Sequence, residues 1–289
     1  MSKILVTGGC GFIGSNLVDM LVDENEVFVV DNLDTGKKEY CNPKAKYIFN
    51  DIRELFPNNV PEELENVEII FHLAALARIQ PSFSNPLETI DINALGTGML
   101  CEYARHINAR LIYSGSSTFY GGVYLNPYAL AKWEGEEICK MYSKVYSVST
   151  AIARFFNVYG PRHPSREGTS GTVVGIFENK FLSGEPLTLV GTGEQRRDFT
   201  HIYDICRGLI AISKDEHFGK VFNLGSGTNC SIKELAEMFP ETEKVFLPPR
   251  PGETDETLAD ISETTDLLEW KPVHNLESYV KKWIEENES

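Results

Sequence analysis

The chain has 289 residues, 42% of them hydrophobic, and a formal net charge of −15. That is apolar material for one large α/β unit, or for one large and one small domain, and no apolar run of about 18 residues predicts a membrane span. Such an acidic surface repels nucleic acid and anionic membranes, so neither is an expected partner.

The start, MSKILVTGG, goes straight into a strand-like run, so no signal peptide is expected there. Strands are expected at 3–7, 26–31, 46–50 and 68–74, with a helix at 12–23 after the first. A helix over 86–107, a strand at 110–115, a helix over 127–146 and a strand at 148–155 follow. Runs apolar throughout that alternate with helices point to buried parallel strands. Residues 160–171 read as a loop; helices at 172–183, 203–213, 231–239 and 275–287 and strands at 187–190 and 221–225 complete the chain. The expected fold is α/β: a doubly wound (Rossmann) parallel sheet with a smaller C-terminal α/β substrate domain. The division falls at 1–157 and 158–289, with segments near 198–226 returning to the first domain. Six scattered cysteines without a CxxC pair fit a reducing cytoplasm, and no metal site is expected.

TGGCGFIGSNL (7–17) follows the first strand directly and opens a helix. Gly9, Gly11 and Gly14 match GxGxxG, and Gly8, Gly11 and Gly14 match GxxGxxG. Small residues here permit a tight turn, close approach to a pyrophosphate and tight helix–strand packing. The helix N-terminus then offers N–H groups and a positive dipole to phosphate. Asp31 ends the next strand, where a carboxylate holds both ribose hydroxyls and repels a 2′-phosphate; the expected cofactor is NAD.

In SGSSTFYGGVYLNPYALAK (114–132), Tyr128 lies four residues before Lys132 and twelve after Ser116. On a helix over 127–146 with Pro127 in its first turn, Tyr128 and Lys132 share a face. A nearby ammonium and the helix dipole favour the tyrosinate. Moving a phenol from about 10 to near neutrality requires about 4 kcal/mol of differential interaction. Ser116, at the end of the preceding strand, is placed to share a hydrogen bond with a substrate oxygen.

With TGGCGFIGSNL and YALAK (128–132), the segments DNLDTG (31–36), HLAAL (72–76), SSTFYG (116–121), RFFNVYGPR (154–162), RRDFTHIYD (196–204) and RPGE (250–253) resemble the extended short-chain dehydrogenase/reductases, specifically the NAD-dependent nucleotide-sugar epimerase/dehydratase family. The resemblance implies Ser116, Tyr128 and Lys132 as the catalytic set. It implies that Phe12 and Ile13 cradle the pyrophosphate, that Asp31, Asn32 and Gly36 hold the adenosine ribose, and that Asp51 and Ile52 frame adenine. Leu73, Ala74 and Ala75 then line the cofactor, Asn93 steadies the strand ends beneath it, and Phe156 packs near the nicotinamide. The same family implies a homodimer through helices 86–107 and 127–146.

On the substrate side the resemblance implies Arg197 and Arg250 for a pyrophosphate, Asn157 for a phosphate, Glu253 for the nucleoside ribose and Thr188, Leu189 and Val190 for the base. Planar guanidinium suits phosphate oxygens. Family dehydratases carry an Asp-Glu pair where Ser117 and Thr118 stand, and its decarboxylases a glutamate at Thr118, so both eliminations are disfavoured. Reversible oxidation at C4 is left: a 4-epimerase, of the UDP-glucose/UDP-galactose type first. Thr257, small at a pocket-confining position, keeps a 2-acetamido sugar open. Ser117 and Thr118 keep a uronic acid open, and a C4 reductase or dehydrogenase is the other alternative. The Ser116–Tyr128 spacing is shorter than is usual in the family, which implies a more open mouth or a lid from another element.

Overall fold

The computed structural model describes residues 1–165 and 171–287. Seven strands form one parallel sheet in the order Lys220–Leu224, Thr150–Phe155, Arg110–Ser116, Ile69–His72, Lys3–Thr7, Glu26–Val30, Lys46–Ile48. Every neighbouring pair runs parallel. The strand order reverses direction at Lys3–Thr7, so a crevice opens beyond the carboxyl ends of that strand and of Ile69–His72.

The central strands are largely apolar because both their faces are covered. Successive side chains point to opposite faces: Ile4 and Val6 enter one core with Leu17, Ile205, Leu209 and Phe222, while Leu5 enters the other with Phe28, Leu100, Tyr113 and Ile152. Helices Phe12–Leu21 and Ile202–Ser213 cover the first face; Gly96–Ile107 and Pro127–Tyr146 cover the second. A third core gathers Tyr159, Phe177, Leu187, Leu189, Phe199, Leu235, Phe239 and Val280 from the C-terminal half. There Leu187–Val190 pairs in parallel with Lys244–Leu247.

The helix expected over 86–107 is in fact three pieces: Pro86–Ile90, a π-helical turn Asp91–Leu95, and Gly96–Ile107. Within the wider turn, the Asn93 amide donates to the Leu76 carbonyl and accepts from its N–H, at 2.9 and 2.8 Å. The loop expected over 160–171 lies partly outside the described residues. Short helices at Ile52–Leu55, Ile79–Ser84, Thr118–Gly121 and Ser262–Leu268 were not anticipated. The six cysteines are free thiols. Among the described residues no helix is long and apolar enough to cross a membrane.

Candidate active site

The glycine-rich turn is bare by necessity. Gly8 adopts φ +72°, and a Cβ there would lie 2.7 Å from the Ala74 amide nitrogen. A Cβ on Gly14 would lie 2.2 Å from the Gly8 carbonyl oxygen. Helix Phe12–Leu21 starts without a side-chain cap, so its first N–H groups, from Phe12 and Ile13 onward, are open to an anion. Asp31 ends the neighbouring strand. Its two oxygens accept from the Cys10 and Leu33 amides at 2.9 and 2.8 Å, and Gly36 lies so close that a Cβ would meet Oδ1 at 2.7 Å. Asn32 reaches toward Asp51, whose carboxylate is gripped by Arg53 and thereby held below its usual range. Ile52 is buried beside this pair, and Leu73, Ala74 and Ala75 line the crevice half-exposed. A bare turn, an uncapped helix and a carboxylate at the next strand end suit a dinucleotide with free ribose hydroxyls.

Ser116, Tyr128 and Lys132 gather at the carboxyl end of Arg110–Ser116. Helix Pro127–Tyr146 has the expected bounds, with Pro127 first and Asn126 as its cap, accepting from the Ala129 amide at 2.8 Å. The Tyr128 amide donates to Ser82 Oγ at 3.2 Å. Ser116 Oγ accepts from Thr118 Oγ1 at 3.0 Å and also lies against the Tyr128 phenol. Ser117 is buried, its amide held by the Phe155 carbonyl.

The electrostatics differ from the expectation in one respect. Burial raises the Tyr128 phenol above its usual pKa; Ser116 and the Arg78 guanidinium act in the opposite direction. Lys132 reaches toward the strand. Its ammonium donates to Ser114 Oγ at 3.3 Å and lies 4.6 Å above the Tyr113 ring, and burial pushes it down to about 8. The reason is packing: from this helix face the lysine reaches the strand Arg110–Ser116. Arg78, at the N-cap of Ile79–Ser84, went unremarked in the sequence. Its only sequence signal is a charge two residues after HLAAL.

Three other expectations are revised. Phe156 is fully buried beneath Tyr120, with ring centroids 5.9 Å apart, so its ring packs behind the pocket wall. Leu189 points into the third core, which leaves the side chains of Thr188 and Val190 at the surface. The Asn157 amide donates to the Asp198 carbonyl and to Thr257 Oγ1, both at 3.2 Å, so its donors are taken and buried Thr257 is a tie between segments. Arg197 is half-buried, 3.9 Å from Glu253. Arg250 is exposed in a segment tied over the site: Asn126 donates to the Gly252 carbonyl at 3.0 Å and Gln80 to the Pro251 carbonyl at 3.1 Å. A polar cavity of about 630 Å³ by Glu68, Arg110 and Lys214 lies at the opposite, amino end of the strands, away from this chemistry.

Fold and site together define a dinucleotide-binding Rossmann protein with a tyrosine beside Ser116 at the strand end. Residues 4–225 match the model of the NAD dependent epimerase/dehydratase family, and the chain belongs to that family. It is 35% identical to a putative UDP-glucose 4-epimerase of Methanocaldococcus jannaschii, covering 98% of this chain and 99% of that protein. It is 33% identical to UDP-glucuronic acid decarboxylase 1 of Xenopus tropicalis, over 98% of this chain and 71% of that one. The crystal structure of a Thermotoga maritima UDP-glucose 4-epimerase with UDP-glucose superposes with a TM-score of 0.89 at 28% identity, covering 99% of this chain and all (100%) of that one. A Bacillus cereus UDP-glucuronic acid 4-epimerase in complex with UDP-glucuronic acid and NAD gives 0.88 at 29%, covering 98% and 99%. The cofactor is NAD, and the substrates of the family are nucleotide sugars.

Proposed function

We propose that the chain is a 4-epimerase of a nucleotide-linked hexose, of the UDP-glucose/UDP-galactose type. The observation that carries this is a Ser116–Tyr128 pair at the strand end with hydroxyls, not carboxylates, at Ser117 and Thr118. Such a pair suits a proton shuttle, and positions 117 and 118 carry no acid to drive elimination. NAD, when bound, supplies reversible hydride exchange with C4. The glycine turn, Phe12, Ile13 and Asp31 would hold it, with Asn93 fixing the Leu73–Leu76 loop below. Tyr128 takes the 4-hydroxyl proton as that carbon is oxidised, and returns it to the 4-keto oxygen once the sugar has turned over in the pocket. Ser116 donates to the same oxygen, and Lys132 holds charge at the foot of the site.

In this reading residues 1–157, with 198–226, hold the cofactor and the remainder holds the nucleotide sugar. Arg197, Arg250 and Glu253 are placed for its diphosphate and ribose, and Thr188 and Val190 for its base. The segment 250–254, tied to Gln80 and Asn126, stands in for the missing loop. The second reading, a uronic acid epimerase, is favoured by the three hydroxyls at 116–118 and by the nearby Arg78. In this reading the chain acts as a homodimer through residues 86–107 and helix Pro127–Tyr146.

Incubation with a panel of UDP-, GDP- and CDP-linked sugars, with products identified by NMR, tests the proposal. Interconversion of C4 epimers without net reduced cofactor is expected, and Tyr128→Phe abolishes it while UDP still binds. Steady accumulation of reduced nicotinamide would reject epimerisation in favour of a one-way dehydrogenase.

A further inference from the structure

A buried ion pair lies behind this site and takes no part in the proton transfers. Glu136 follows Lys132 by four residues and Tyr128 by eight on helix Pro127–Tyr146, so the three share one face. Arg154, on strand Thr150–Phe155, meets it in a fork: Nε to Oε1 at 2.9 Å and Nη2 to Oε2 at 2.6 Å. Glu136 is 1% exposed and Arg154 5%.

The pair is wedged against the strand that carries Ser116. A Cβ on Gly115 would lie 2.8 Å from Glu136 Oε1 and 3.1 Å from Arg154 Cγ. The guanidinium also lies 3.6 Å over the Phe119 ring, and its Nη1 donates to the Tyr120 hydroxyl at 3.1 Å. Tyr120 in turn donates to Asn223 Oδ1 at 2.9 Å. Phe119 and Tyr120 belong to the short helix directly after Ser116 and Ser117. Buried ion pairs add little net stability over apolar residues of similar volume, so stability alone does not account for this one.

We propose that Arg154 and Glu136 are positioning residues: their fork locks the Tyr128–Lys132–Glu136 helix face to the Gly115–Tyr120 segment and so fixes the separation of the Tyr128 phenol and the Ser116 hydroxyl. This rests on the reading that those two groups move the proton. A misplacement of about 1 Å in such a pair can cost about a hundredfold in rate. The charge balance is set at the same point. Lys132 faces Glu136 and Cys139 from its own helix and His72, Tyr113 and Ser114 from the strands; Tyr128 faces Ser116 and Arg78.

The test uses NAD-loaded protein and the nucleotide sugar that the wild type converts. Glu136→Leu/Arg154→Met removes both charges at similar volume. It should keep the thermal midpoint and the UDP affinity close to wild type and lower kcat on the order of tenfold to a hundredfold, with KM little changed. The ultraviolet titration of the phenol, taken as the difference from Tyr128→Phe, should shift. A folded double variant with wild-type kcat and an unshifted titration overturns the proposal. Should that variant fail to fold, Arg154→Lys, which keeps the charge but cannot make the fork, decides the matter: reduced kcat at constant KM supports it and wild-type kcat overturns it. If the wild type converts no sugar in the panel, the 4-epimerase reading fails separately, and the phenol titration of the same variants still decides the positioning role.

Discussion

At the Tyr128 phenol, burial and two neighbours compete. Burial favours the neutral form; the Arg78 guanidinium and the Ser116 hydroxyl favour the anion. Arg78→Met should therefore raise the phenol pKa further and lower turnover more at neutral than at alkaline pH. Ultraviolet titration alongside the pH profile of kcat checks this, and an unshifted phenol would remove Arg78 from the site. At Gly14 the conflict is steric. An alanine Cβ placed 2.2 Å from the Gly8 oxygen forces the turn apart. Gly14→Ala should weaken NAD binding on the order of tenfold to a hundredfold, measured by calorimetry; wild-type affinity would contradict it. The two positions differ in how they can be read from sequence. Gly14 belongs to a pattern of fixed spacing whose physics is local. Arg78 and Tyr128 lie fifty residues apart, and only the packing of Ile79–Ser84 on the long helix makes them neighbours. The same packing sends Lys132 to Ser114 and Tyr113, which helical spacing alone could not show.

Helix Pro127–Tyr146 ends at Ser147, in left-handed backbone with φ 57° and with no glycine to mark it, but it was legible from a local signal at its start, Pro127. Long elements with one apolar face were legible from that face. The four-residue helices at Ile52–Leu55 and Thr118–Gly121 show no stripe, since one turn is too short to have a period. The π-turn at Asp91–Leu95 also escapes, because its wider winding serves the distant Leu76 loop. Asn126 shows how an element's end can reach further. Its Oδ1 caps the helix, and its Nδ2 ties down the Gly252 carbonyl. Asn126→Ala should cost about 1 kcal/mol of stability and, by loosening segment 250–254, raise KM for the nucleotide sugar more than it lowers kcat. Urea denaturation and steady-state kinetics read the two effects separately; an unchanged KM would mean that the segment does not cover the substrate.

The molecule as a whole exposes apolar side chains on the segments proposed to pair: Leu87 and Leu95 within 86–107, and Met141, Val145 and Tyr146 on helix Pro127–Tyr146, are open to solvent. Leu95→Glu/Val145→Glu should convert a dimer to monomer by light scattering, and a wild type that is monomeric at working concentration would refute the pairing. The parallel sheet was legible from its continuous apolar runs, whereas how the C-terminal half docks was not, because the ties, apolar Trp270 as well as single polar groups, join segments far apart in the chain. Asp204 is such a tie: its carboxylate accepts from the Val273 and His274 amides at 3.1 and 3.0 Å and meets the His274 ring, which stacks on His201. His201 is buried, and desolvation with the neighbouring His274 pushes it down to about 4. His72, closed between Thr7 and Thr97 at 2.8 and 3.1 Å, is pushed down to about 3. In the unfolded chain both take up protons near pH 6.5. Below that pH the unfolded state binds more protons than the folded one, so stability falls as pH falls. The loss runs from about pH 6.5 toward pH 4 for His201 and continues toward pH 3 for His72, while above pH 7 neither contributes a slope. His201 alone is worth on the order of 3 kcal/mol across its window. Thermal midpoints recorded between pH 8 and 4 should be flat and then descend, and His201→Asn should flatten part of the descent. A midpoint that stayed level to pH 4 would mean that these rings take up protons without opening the fold.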